Sequence, residues 1–132
     1  MARNRINAYQ QTKIKTAGAG QRVVLMYDVL LKALHDALQA FEMSGPERFE
    51  AIHNHLQLSE KIVTELRLAL DMDNGGEIAR TLDTLYEFWD NHLSDANINK
   101  DRKKVEEVLV MVKDMHATWK QAAIEAKKLG LA

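Results

Sequence analysis

Leu70-Asp71-Met72-Asp73-Asn74-Gly75-Gly76-Glu77-Ile78-Ala79 joins two long apolar-periodic segments, the end of one helix to the start of the next. Asn74-Gly75-Gly76 supplies residues that tolerate φ > 0, as a helix C-cap requires. Glu77 then places negative charge at the N-terminus of the following helix, where the helix dipole favours it. The stretch predicts a tight helix-helix hairpin.

Outward from this hairpin the chain carries four helical segments. The first runs from about Gln21 to Met43, with Val23, Tyr27, Leu30, Leu34, Leu38 and Phe41 at spacings of three and four. Ser44-Gly45-Pro46-Glu47 ends it. Serine with glutamate three residues on reads as a capping box, and Pro46 suits a first helical turn. The second runs from about Pro46 to Met72 on Phe49, Ile52, Leu56, Ser59, Val63, Leu66 and Leu70. The third runs from about Glu77 to Ala96 on Ile78, Leu82, Leu85, Trp89 and His92. Asn97-Ile98-Asn99 breaks it, with Asn99 as candidate cap of the next helix. The fourth runs from about Lys100 to Lys128 on Val105, Val108, Val112, Met115, Trp119, Ala122, Ala126 and Leu129. No strand pattern, repeat or low-complexity tract interrupts them. Four helices with short links predict an all-α fold, an antiparallel up-down four-helix bundle over residues 21–132.

Residues 1–20 read differently, as a short flexible N-terminal arm. Ile6 and Tyr9-Gln10-Gln11-Thr12 allow one helical turn, and Thr16-Ala17-Gly18-Ala19-Gly20 reads as a hinge. Residues 1–27 carry Arg3, Arg5, Lys13, Lys15 and Arg22 and no acid. With a net charge of −1 overall, the rest of the chain carries about −6. The arm is thus either a solvated basic tail or one that docks on its own acidic body. Five charges without interleaved aromatics or a basic helix face are a weak footprint for nucleic acid.

Composition narrows the chemistry. At 132 residues the chain is one domain, able to bury roughly two thirds of its unfolded surface. Zero cysteines exclude disulfides and thiolate metal sites. No signal peptide opens the sequence, and no apolar run reaches the roughly 18 residues of a membrane span. A cytoplasmic protein without membrane insertion is expected. A di-metal bundle needs paired Glu-x-x-His motifs with two further glutamates; Glu50-Ala51-Ile52-His53 stands alone. His53 and His55 point to opposite sides of a helix. His35, His92 and His116 are isolated, fitting partly buried bundle histidines, and lack the glycine and lysine expected after a phosphoacceptor. No phosphate loop, nucleophile elbow or His-Glu-x-x-His occurs. Neither an enzyme nor a cofactor is expected. The alternatives are a metal-binding or phosphotransfer bundle, or a generic helical scaffold.

What remains is apolar excess. Leu58, Ile62 and Ala69, then Tyr86, Phe88 and Leu93, then Leu109, Met111 and Ala123 widen the stripes of the last three helices beyond one seam. They make either a wide core with half-buried flanks or a hydrophobic groove for an amphipathic helix. An open groove invites aggregation, which an arm bearing Ile6 and Tyr9 would prevent.

Tyr9-Gln10-Gln11, Thr16-Ala17 and Val23-Val24-Leu25-Met26-Tyr27-Asp28 resemble the start of the flagellar secretion chaperone FliS family. Leu70-Asp71-Met72, Gly75-Gly76-Glu77-Ile78-Ala79, Leu82, Leu85-Tyr86, Leu93, Ala96-Asn97 and Asp101 resemble its central signature. Glu107-Val108-Leu109 and Trp119 continue it, so that the likeness covers about residues 7–122. Val29 stands where the family usually has glycine, and Gly18-Ala19 replaces a common Ser-Pro.

The resemblance implies a cytosolic four-helix bundle that binds the disordered C-terminal segment of flagellin. Such a chaperone prevents premature polymerisation and aids delivery to the flagellar type III export apparatus. The export gate and other flagellar regulators are further candidate partners. The expected client-binding residues are Ile62, Leu66, Ile78, Leu82, Leu85, Tyr86, Trp89 and Leu93, with Tyr9 as the cover that moves aside.

Overall fold

A computed structural model describes residues 19–130. Among them are four α-helices: α1 (Ala19–Phe41), α2 (Glu47–Leu68), α3 (Gly76–Asn99) and α4 (Arg102–Lys128). Each packs against its neighbours in the chain, α4 closes onto α1, and the two diagonal pairs stay apart. This is the antiparallel bundle that short connections require. Among the described residues, no helix is long and apolar enough to cross a membrane.

The core follows the three-four spacing of the sequence. Tyr27, Leu30 and Leu34 on α1, Ile52, Leu56 and Val63 on α2, Trp89 and Leu93 on α3, and Val105, Val108 and Val112 on α4 are fully enclosed. The α1–α2 side is the most closely packed. Ala33, Ala37 and Ala40 are buried on α1 at helical spacing, and small side chains permit close backbone approach. Val29 is buried in the same core. Four stripe members lie outside it and are exposed: Phe49 and Ile78, each in the first turns of its helix, and Ala122 and Leu129, late on the fourth stripe.

The connections differ from the sequence expectations in detail. The residue flanking α2 is Pro46, which has helical dihedrals and no side-chain cap bond, so Ser44 does not form a capping box. Gly45 instead takes φ +90°. Arg48 Nε donates to the Phe41 carbonyl at 3.1 Å, closing the end of α1. Helix α2 ends at Leu68, with Ala69 as a right-handed C-cap, so Asn74-Gly75-Gly76 do not cap it. They start α3 instead, where Asp71 accepts from the Asn74 backbone N–H at 3.0 Å. A Cβ on Gly75 would lie 2.5 Å from both Ala79 Cβ and the Asp71 carbonyl oxygen, and Gly76 takes φ +59°. The two glycines therefore serve two needs, close approach and a left-handed backbone.

Between α3 and α4, Lys100 is the left-handed C-cap at φ 51°. Asp101, not Asn99, is the N-cap of α4 and accepts from the Lys104 N–H. At the other end of the chain, Ala19 and Gly20 belong to α1, so helix replaces the last two residues of the sequence read as a hinge.

Candidate functional site

Helix α4 is buried over only half its length. Val105, Val108, Leu109 and Val112 are enclosed, yet from Lys113 to Lys128 no residue is buried. Met115, Trp119, Ala123 and Ala126 keep the inward spacing but remain half-buried. An amphipathic helix ordinarily buries its apolar stripe against a neighbour. Among the described residues, no neighbour covers one side of it.

The polar contacts identify that side. Arg67 on α2 holds Asp83 and Glu87 on α3 at 2.6 and 2.9 Å, and His53 meets Asn97 at 3.1 Å. These residues mark the face of α3 that meets α2. His92 lies 3.3 Å from Glu107 of α4, and Asp95 pairs with Lys104; these mark the face that meets α4. Ile78, Leu85 and His92 recur at intervals of seven and share that second face. Ile78 is 72% exposed, Leu85 is half-buried, and Phe88 is 44% exposed and stacks on His92 with ring centroids 4.9 Å apart. On α4 the matching line is Glu107, Met111, Met115 and Ala122. Of the four sides, α3–α4 is the least closely packed. Both ties between these helices lie near their connecting turn, and away from it a half-covered apolar strip opens between them.

A cluster of aromatic rings backs the strip. Tyr27 and Tyr86 meet hydroxyl to hydroxyl at 2.9 Å. Trp89 sits edge-on to Tyr27 at 6.1 Å and tilted on Tyr86 at 5.4 Å. Trp119 of α4 approaches Tyr27 at 6.4 Å. Burial is the main cause that pushes both phenols above the ordinary tyrosine range, and the Tyr86 hydroxyl adds to the effect at Tyr27. The indole nitrogens of Trp89 and Trp119 are enclosed without a hydrogen-bond partner.

On the far side of α4, His116 Nε2 lies 2.6 Å from Asp28 Oδ1 on α1. The α2–α3 side is polar. Besides Arg67, it carries Glu60 and Asp90, both pushed above the usual carboxylate range by burial, with Asp90 adding to the shift at Glu60. Lys100 Nζ donates to Asn97 Oδ1 at 2.7 Å. Among the described residues, no group of three or more His, Asp or Glu is placed to hold a metal ion. The ring nitrogen of His53 that faces α3 is engaged by Asn97. His92 and His116 are half-buried, whereas His35 is exposed.

The expected client residues do not share one surface. Ile62, Leu66, Leu82, Tyr86, Trp89 and Leu93 are buried in the core. Leu66 is five turns along the same line as Arg48, which reaches α1, and Ile62 lies about 140° around the helix from Arg67, which reaches α3. Both therefore face α1. Ile78 and Leu85 do share a surface, that of the strip. Tyr9 lies outside the described residues. Phe88 and Met111, on the strip, carried the second-stripe signal in the sequence. Met115 and Trp119 have the spacing of core residues, and nothing local distinguishes them from core.

Comparison with known proteins agrees with this architecture. A protein of Bacillus subtilis (strain 168) named flagellar secretion chaperone FliS is 30% identical over 125 residues, 95% of this chain and 90% of that protein. A protein of the same name from Salmonella typhimurium is 29% identical over 126 residues, 92% of this chain and 91% of the other. One from Vibrio cholerae is 34% identical over 71 residues, 54% of this chain and 52% of its own. The family profile described as flagellar protein FliS matches residues 2–126. With nearly the whole bundle inside that match, the chain belongs to the FliS family of flagellar secretion chaperones.

Proposed function

We propose that this protein is a cytoplasmic export chaperone for flagellin. It holds the disordered C-terminal segment of flagellin as an amphipathic helix on the α3–α4 strip. It thereby prevents premature polymerisation and presents the client to the flagellar type III export apparatus. Membership of the chaperone family supports the reading. The observation that carries it is the half-covered face of α4 beyond Val112, opposite the exposed Ile78 and half-buried Leu85.

The energetics suit coupled folding and binding. Apolar area removed from water contributes roughly 25 cal/mol per Å², and ordering the client costs about 2–5 kcal/mol of the gross gain. Within this reading Ile78, Leu85, Phe88, Met111, Met115 and Trp119 contact the client. Leu82 and Trp89 support them from behind, and Tyr9 is the removable cover.

The test is calorimetric titration of the full chain with a synthetic flagellin C-terminal segment. Saturable binding is expected, weakened at least tenfold by Ile78→Asp or Leu85→Asp. Tyr9→Ala is expected to tighten it by releasing the cover. Absence of binding, or binding indifferent to both aspartate variants, overturns the assignment.

A further inference from the structure

Resting on the client-chaperone reading, we propose that His116 and Asp28 form a positioning tie that draws the distal half of α4 towards α1 and so keeps the α3–α4 strip open. Helix α4 is held to α3 by Asp95–Lys104, and His92 lies beside Glu107, both in the half next to the turn. Beyond Val112 no residue of α4 is buried, so packing alone fixes this half weakly. The 2.6 Å contact from His116 to Asp28 lies in that weakly packed half.

Direction matters here. His116 is about 140° around the helix from Met111 and about 120° from Ala122. The tie thus pulls on the side of α4 turned away from the strip. The imidazole Nε2–H donates to the carboxylate. Without it, the apolar side chains facing one another across the strip draw α4 towards α3, because that removes apolar area from water. The strip closes, closure offsets part of the stability lost with the tie, and the client must first prise the helices apart. The tie therefore acts as preorganisation, holding the strip in the shape the client needs.

The experiment compares the full chain with His116→Ala and His116→Gln, the latter placing an amide donor where the imidazole Nε2–H stood. Three quantities are read: the thermal midpoint, the affinity for the flagellin C-terminal segment, and amide exchange along α4. For His116→Ala, an affinity loss of about tenfold is expected, with an unchanged or slightly lowered midpoint and altered exchange confined to residues 113–128. His116→Gln is expected to restore most of the affinity. Affinity equal to wild type in His116→Ala overturns the proposal. So does a loss that follows a lowered midpoint and is not rescued by glutamine. Should the wild-type chain not bind the segment, the chaperone reading fails by itself. The exchange experiment then still decides the tie: unchanged exchange over 113–128 refutes it, and altered exchange there supports it.

Discussion

The phenol of Tyr27 on α1 and that of Tyr86 on α3 touch at 2.9 Å, joining two helices whose backbones do not meet. The hydroxyls satisfy one another in a setting that water does not reach. Removing either one leaves its partner buried without a bond, so Tyr27→Phe and Tyr86→Phe are each expected to cost about 1–2 kcal/mol. The double variant is expected to cost less than the two losses added together, since it strands no donor. Denaturant unfolding of the four proteins of this cycle checks it.

The same pair sets the alkaline limit. Both phenols titrate above their unfolded counterparts, which ionise at about pH 10. Their contribution is complete below that pH and is lost as pH rises, because the unfolded chain releases protons that the folded chain retains. Stability should fall steeply above about pH 10, and less steeply in Tyr27→Phe. Unfolding free energies measured from pH 8 to pH 11 distinguish the two.

Across the α2–α3 side the sign is the same, but the window lies in the carboxylate range. Burial first, and then the neighbouring Asp90, raise the Glu60 carboxyl. A raised carboxylate is a cost whenever it is ionised. That cost grows as pH rises from the ordinary carboxylate range to the shifted one, and is complete above it. Glu60→Gln keeps an acceptor for Asn97 and removes the charge. It is expected to stabilise the protein at pH 7 by about 0.5 kcal/mol, a figure already reduced for solvent screening of a half-exposed group. The gain should vanish as pH approaches 4, and thermal melts at pH 7 and pH 4 compare the two.

The paired glycines before α3 separate two kinds of backbone constraint. Gly76→Ala forces a side chain into a left-handed conformation, at about 1–2 kcal/mol. Gly75→Ala drives a methyl group into Ala79 and the Asp71 carbonyl, neither of which is a flexible side-chain end. A larger loss is expected there, about 2–3 kcal/mol, with displacement of the hairpin visible as amide shift changes from 71 to 79.

The uneven burial of α4 has a mutational signature of its own. Val108→Ala, in the enclosed half, should cost about 1–2.5 kcal/mol through lost contacts and an unfilled space. Ile124→Ala, on the exposed distal half, should fall within about 0.5 kcal/mol of wild type. Equal losses at both positions contradict the half-buried helix.

Periodicity made the bundle legible, because one face of each helix must meet its neighbours. Tyr27, Leu30 and Leu34 are apolar at that spacing and are buried for that reason. The same rule misplaced Phe49 and Ile78, which keep the period near helix starts where the core does not enclose them. The connections were legible as turns but not in their caps. Asn99 and Asp101 are both good N-caps, and the left-handed Lys100 between them determines which one is used. Core and surface were least separable on α4. Trp89 and Trp119 both sit on apolar stripes, yet the first is enclosed and the second is not. The difference lies in how closely α3 and α4 approach away from their turn, which no local sequence period encodes. Ile62 and Leu66, expected at the client surface, lie away from the strip for a related reason. Helical position relative to Arg48 and Arg67 assigns them to the α1 side, and that assignment needs the partners of the two arginines.

The aromatic cluster also has an optical consequence. Its two indoles share Tyr27 as a neighbour but stand on different helices, one sealed within the bundle and the other on the segment whose apolar face the described residues cover only in part. Light emitted by Trp119 will change colour and yield whenever that segment shifts or acquires a guest, while Trp89 supplies a steady reference from inside. Retaining one tryptophan at a time turns the protein into its own gauge of occupancy, with no dye attached.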